Sequence, residues 1–131
     1  MHYLVGTDSI HTTASICDYL GERATATDAV TVVAVAPSDD PTARRDAEEA
    51  LTVAPVRLAT VGDVETELRE GEGSPADVLR AAAADSDADE FVIGSRGGDP
   101  DAAATRDLGS TARELLAAAD RPVVVVPGPE F

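Results

Sequence analysis

The sequence predicts an α/β fold: a single three-layer domain with a five-stranded, mostly parallel sheet and helices on both faces. Three observations carry this expectation. Strand-like and helix-like segments alternate along the whole chain, a pattern that requires right-handed crossovers between parallel strands. Residues 29–36, Ala-Val-Thr-Val-Val-Ala-Val-Ala, are nearly continuously apolar and β-branched, as a strand covered on both faces is. Two helix starts are marked by a capping side chain followed directly by proline.

The elements follow in order. Residues 2–7, His-Tyr-Leu-Val-Gly-Thr, read as a short buried strand. Residues 11–24 then place Ala14, Cys17, Leu20 and Ala24 at helical spacing. After the strand at 29–36, Asp39-Asp40-Pro41 offers an acidic N-cap and a proline at the first helical position. Ala47, Ala50, Leu51, Ala54, Leu58 and Val61 keep one helical face, with Pro55 expected to kink or split it. A strand at 56–61 is the alternative. The helix is preferred because Gly62 makes a natural stop, after which Val64, Thr66 and Leu68 alternate with Glu65, Glu67 and Arg69. That alternation predicts a strand at 63–69 with one wet face, as at a sheet edge.

Ser74-Pro75-Ala76-Asp77 is a capping sequence, and the helix it opens turns Ala76, Leu79, Ala82 and Ala83 inward. Glu90–Gly94 is the fourth strand, followed by a polar loop from Ser95 to about Ser110. Thr111-Ala112-Arg113-Glu114 reads as another capping box, and Leu115, Leu116 and Ala119 continue its helix. Arg121-Pro122 ends that helix, and Val123–Val126 form the last strand. No repeat, low-complexity tract or linker divides residues 1–131.

A chain of 131 residues can bury one substantial core. Apolar residues make up 44% of it but aromatics only 3%, so the core must be built from Val, Leu, Ile and Ala. The formal net charge is −15, from 25 acidic and 10 basic residues, and every basic residue is Arg. Such a charge strains a compact domain by self-repulsion. At about 1 M salt the Debye length is only about 3 Å, which relieves that strain. The composition therefore suits a cytoplasm kept at high salt, as in a halophilic archaeon; an ordinary acidic protein is the alternative. Nothing forms a basic patch, so nucleic acid is not an expected partner. No apolar run is long enough to cross a bilayer, and Met1 to Val5 show neither a basic region nor a cleavage site, so no membrane association and a cytoplasmic location are expected. Cys17 is the single cysteine, which excludes an internal disulfide and a multi-cysteine zinc site.

In an open parallel sheet, ligands sit beyond the carboxyl ends of the strands, where the strand order reverses. Two segments belong there. One is Gly6-Thr7-Asp8 after the first strand; the other is Gly94-Ser95-Arg96-Gly97-Gly98, which leads to Leu108-Gly109-Ser110-Thr111. A glycine-rich turn lets backbone N–H groups approach phosphate, and a helix N-terminus adds free donors and partial positive charge. The structural alternatives are plain: a turn for Gly94 and Gly97, a capping box for Thr111 and Glu114, a helix cap for Asp8.

Taken together, these segments resemble the universal stress protein family, with its acid at the end of the first strand and a G-2x-G-9x-G-[S/T] motif after the fourth. Gly94, Gly97, Gly109 and Ser110 are similar to that motif, and the likeness extends from Gly73-Ser74-Pro75 to the closing proline and valine strand, over nearly the whole chain. The resemblance implies a sheet order of 3-2-1-4-5. It also implies ATP or another adenine nucleotide with Mg²⁺, Asp8 on the ribose, Val35 on the adenine, and Gly94, Gly97, Gly109, Ser110 and Thr111 on the phosphates. It further implies a homodimer formed through Val123–Val126. There are two departures. Eleven residues, not nine, separate Gly97 from Gly109, and they include Asp99, Asp101 and Asp107 against Arg106 alone. Gly6 stands where the family often has Pro or Val.

Several enzyme classes drop out. A Walker A loop needs Lys, no G-x-G-x-x-G follows the first strand, and no Ser/His/acid set or metal cluster is visible. Cys17 reads as core, and His11 as a solvated residue at a helix start. Two functions remain: a nucleotide-binding stress or signalling module with at most slow ATP hydrolysis, and a nucleotide-independent dimeric interaction module of the same fold.

Overall fold

The computed structural model describes residues 1–70, 73–95 and 108–127. In chain order its elements are β1 (His2–Thr7), α1 (Ile10–Arg23), β2 (Ala29–Ala36), α2 (Pro41–Arg57), β3 (Asp63–Glu70), α3 (Pro75–Ser86), β4 (Glu90–Gly94), α4 (Ser110–Ala118) and β5 (Val123–Val126). The five strands form one sheet in the order β3-β2-β1-β4-β5, and every pairing is parallel. The chain winds outward from β1 to β3 and then returns to β4 on the other side of β1. The order therefore reverses beside β1, and that is where such a sheet leaves a crevice.

Each face of the sheet carries its own apolar layer. Tyr3, Val5, Val30, Val32 and Val92 meet Ile16 and Leu20 of α1 and Ala54 of α2. Leu4, Val33, Phe91 and Ile93 meet Leu79 of α3 and Leu115 of α4. The two layers alternate along each strand because successive side chains point to opposite faces. β3 differs: its residues are exposed or only partly buried, and it lies at an edge, as its alternating charge implies.

The predicted caps form at two helices. Asp40 accepts from Ala43 N–H at 3.0 Å, with Pro41 opening α2, and Ser74 accepts from Asp77 N–H at 3.3 Å, with Pro75 opening α3. Three expectations need correction. α1 buries Thr12, Thr13, Ile16, Cys17 and Leu20, so its inner face is broader than the expected line and Ala24 lies just past its end. α2 stops at Arg57, with Pro55 in its last turn; Leu58 and Val61 are buried as expected, but from the turn that follows. α4 begins at Ser110 with Gly109 as its N-cap and no side-chain cap, so Thr111 and Glu114 do not form the capping box.

At the amino ends of the strands the turns are tied down by side chains. Arg121 Nη1 donates to the carbonyls of Ala83 at 3.0 Å and Ala88 at 2.7 Å, and its guanidinium lies over the Phe91 ring. It supplies a cation to the end of α3, whose own last turn has none. Asp87 closes that helix in the left-handed region at φ 53°. Glu90 is buried and pairs with Arg23, whose Nη2 donates to Oε1 at 3.3 Å; Nη1 lies 3.0 Å from Oε2, an ion-pair distance without hydrogen-bond geometry. Gly62 passes so close to the preceding turn that a Cβ there would lie 2.1 Å from the Ala26 carbonyl oxygen.

Candidate functional site

A cleft of about 250 Å³ opens at the carboxyl ends of β1, β2 and β4. Its walls come from the turn after β1, the end of β2, the first turn of α3, the end of β4 and the start of α4. Gly6, Asp8, Val35, Gly94, Gly109, Ser110 and Thr111 all line it. Gly97, like Arg96, Asp99, Asp101, Arg106 and Asp107, lies outside the described residues.

The turn that carries Asp8 is held by hydroxyls. Thr7 Oγ1 lies 2.8 Å from Thr13 Oγ1 and donates to Ser9 C=O at 3.2 Å, while Thr13 Oγ1 donates to the same carbonyl at 2.9 Å. Ser9 is the N-cap of α1, accepting from Thr12 N–H at 3.2 Å. The cap is thus Ser9 rather than Asp8, and Asp8 stands exposed at the cleft wall.

The opposite wall joins two segments that are distant in sequence. Gly109 N–H donates to Ser95 C=O at 2.8 Å, and Ser95 N–H donates to Val126 C=O at 2.9 Å. This clamp sets the start of α4 beside the end of β4. It also occupies the Gly109 amide. Gly109 therefore contributes an absent side chain, and the donors at the cleft belong to the first turn of α4, which no side chain among the described residues caps. Gly109 has φ −64° and ψ 163°, ordinary extended backbone, so any intolerance of a side chain there would come from lost approach, not from strain.

The segment Gly6-Thr7-Asp8 stands at the cleft as expected, whereas sequence reasoning missed Thr12, Pro75, Leu79, Ile93 and Ala112 as cleft residues. Leu79 had a legible signal as core, yet it is both core and cleft wall. The lining joins an apolar end, made by Val35, Leu79 and Ile93, to a donor-rich end at Ser110 and Thr111. Asp8 is its one charged residue among those described. Among the described residues no group of three or more His, Cys, Asp and Glu could hold a metal ion, and no helix is long and apolar enough to cross a membrane. Cys17 lies away from the cleft on the buried face of α1; burial pushes its thiol up to about 11, which leaves it an inert part of the core.

The sequence model of the universal stress protein family matches residues 1–127. The chain belongs to the universal stress protein family. Solved structures agree in fold. A universal stress protein from Archaeoglobus fulgidus superposes with a TM-score of 0.73 at 23% identity, covering 96% of this chain and 98% of that one. A universal stress protein in complex with cAMP gives 0.67 at 20% identity, covering 98% of each chain. A family member from Arabidopsis thaliana with AMP bound gives 0.63 at 16% identity, covering 97% of this chain and 90% of that one. No curated protein matches the sequence. At these identities the solved structures establish the universal stress protein fold, and the chain's own residues must carry any statement about its ligand.

Proposed function

We propose that this universal stress protein is an adenine-nucleotide-binding module that acts as a homodimer in a stress or signalling response in the cytoplasm. The observation that carries the reading is the cleft itself. It brings an acid after β1, an apolar end at β2 and an uncapped helix start after β4 into one space at the reversal point of the sheet. An apolar slot suits a planar base, a carboxylate suits the hydroxyls of a ribose, and free amide donors suit phosphate. Relatives of the same fold, described as bound to AMP and cAMP, support the choice of ligand. Mg²⁺ would arrive on the phosphates of a triphosphate, since the described lining offers Asp8 as its one carboxylate. The role is binding, with ATP hydrolysis at most slow.

Calorimetric titration with AMP and with Mg-ATP in molar KCl tests the reading. Saturable heat is expected from the wild type. Gly109→Val should abolish it, because a branched side chain would stand where phosphate must approach the helix start. Asp8→Ala should weaken binding by about 1–3 kcal/mol, the scale of a hydrogen bond to a charged group. Absence of both heat and thermal shift up to millimolar ligand would defeat the reading. That result would favour a nucleotide-independent dimer module, which the three carboxylates between Gly97 and Gly109 support.

The homodimer is proposed at β5. Both β3 and β5 are edge strands, but β3 alternates acids along its length, whereas β5 is four valines. Charge protects an edge from pairing, and an uncharged apolar edge invites it. Sedimentation at micromolar concentration in high salt should show a dimer; a monomer alone would reject this part of the proposal.

A further inference from the structure

The two edges of the sheet are guarded unequally. β5 has four residues, whereas β3 has eight and pairs with β2 along its whole length, from Ala29↔Asp63 to Ala36↔Glu70. Edges are usually blunted by brevity, proline, bulges or lysine. β3, Asp-Val-Glu-Thr-Glu-Leu-Arg-Glu, has none of these, and its register is unbroken. Among the described residues nothing pairs with its outer side. Charge alone guards it, and that charge is sorted by face. Arg69 donates to Asp85 of α3 at 3.0 Å, and Glu70 pairs with Arg44 of α2. Asp63, Glu65, Glu67 and Arg69 therefore lie on the α3 face, and Val64, Thr66, Leu68 and Glu70 on the α2 face. Arg69 is already engaged by Glu67 and Asp85, whereas among the described residues the exposed Asp63 and Glu65 make no ion pair. One face of the edge thus presents carboxylates with a single committed cation, and the other is neutral as far as Leu68.

An edge guarded by one sign of charge is selective rather than closed. It repels a second copy of itself, because like charges directly opposite destabilise a strand pair, and it attracts a strand of the opposite sign. We propose that β3 docks an extended segment of a partner protein as a sixth strand, and that this segment carries Arg or Lys at alternate positions with small or apolar residues between them. The basic side chains fall on the α3 face, against Glu65 and Glu67. The residues between them fall on the α2 face, beside Thr66 and Leu68. Main-chain hydrogen bonds along the edge supply affinity, and the alternation of faces supplies selectivity. The charge pairs form at contact, so a Debye length of about 3 Å at about 1 M salt weakens them without removing them. The docked strand leaves β5 and the cleft free, since β5 is the opposite edge and no β3 residue lines the cleft.

The test uses the whole chain in molar KCl and a fluorescein-labelled peptide, Thr-Arg-Val-Arg-Val-Arg-Thr. Two counterparts accompany it: one with Glu in place of every Arg, and one N-methylated at every residue, which keeps the charge but has no main-chain donors. Fluorescence anisotropy should show saturable binding of the basic peptide and of neither counterpart. Hydrogen exchange should slow at residues 63–70 when the basic peptide binds, and not at 123–126. Glu65→Gln combined with Glu67→Gln should weaken the basic peptide roughly tenfold, as the loss of two strong cross-strand charge pairs does. Glu65→Arg combined with Glu67→Arg should invert the preference, so that the acidic peptide binds and the basic one does not. Failure of the basic peptide to bind the wild type would overturn the proposal. So would equal binding of the acidic peptide, unchanged affinity in the Gln variant, or exchange protection that falls on β5. Binding of the N-methylated peptide would overturn it too, by showing charge attraction without strand addition.

Discussion

The two poles of this sheet are finished in opposite ways. At the amino ends of the strands, helix C-termini arrive and present carbonyls, and side chains seal them: Arg121 spans the carbonyls of Ala83 and Ala88, and Arg23 meets the buried Glu90. Asp28 and Asp89 accept from the backbone N–H groups of Thr25 and His2. At the carboxyl ends, helix N-termini arrive and present N–H groups. There α1 is capped by Ser9, but α4 begins on Gly109 with no side-chain cap among the described residues. Parallel βαβ winding dictates which kind of helix end reaches which pole. The sequence then decides which ends are closed. Closed carbonyls supply stability, and open amides leave room for a ligand, so stability and binding should respond to substitutions at different poles.

The largest effect expected from breaking this separation is at Gly62. In Gly62→Ala the new methyl group would meet the Ala26 carbonyl oxygen, a backbone atom that cannot rotate away. The loss should be about 3 kcal/mol, the upper end for overpacking, read as a lower urea midpoint. Nucleotide affinity of the remaining folded protein should not change; a parallel loss of affinity would show that the poles are coupled. Arg121→Ala comes next. It removes the donor to the buried Ala88 carbonyl, while the Ala83 carbonyl keeps the N–H of Ala88 at 3.0 Å, and should cost about 1–3 kcal/mol. Arg121→Lys should restore only part of this, since an ammonium lacks the planar guanidinium face that now lies over the Phe91 ring.

How much of this contrast could be read in advance differs between its parts. Strands and helix starts were legible because they depend on local pattern: the valine-rich run of β2, the alternation in β3, and the Ser74-Pro75 and Asp40-Pro41 caps. The strand order came from family resemblance, not from periodicity. The cap of α4 was misplaced by two residues because Thr111 and Glu114 satisfy the capping spacing, while the Ser95 carbonyl that positions Gly109 is fourteen residues away in sequence. The role of Arg121 was invisible for the same reason, as its acceptors lie 33 and 38 residues upstream. Leu79 was assigned to the core correctly, but no one-dimensional pattern shows that it presses on Gly6 in another element. The candidate site was therefore legible as positions, and its shape was not.

The smallest expected effect sharpens the comparison at the cleft pole. Ser9 caps α1 through Thr12 N–H, and its hydroxyl also donates to Thr12 Oγ1 at 3.1 Å. Removing a serine cap typically costs about 1 kcal/mol, so Ser9→Ala should lower stability by that amount. The loss should be no larger, because Thr7 and Thr13 bond to the Ser9 carbonyl, not to its hydroxyl, and keep the turn closed in the variant. Ser9→Thr should recover the loss, since threonine also caps. The informative quantity is the ratio of lost affinity to lost stability. Ser9 is the neighbour of Asp8, and the turn it caps holds Asp8 at the cleft wall. Freeing that cap should weaken nucleotide binding by more than Arg121→Ala does, although Arg121→Ala costs at least as much stability. Urea melts and AMP titrations on the two variants give both numbers. Equal losses of affinity would mean that Asp8 is not held by its turn, and that the two poles differ in geometry without differing in task.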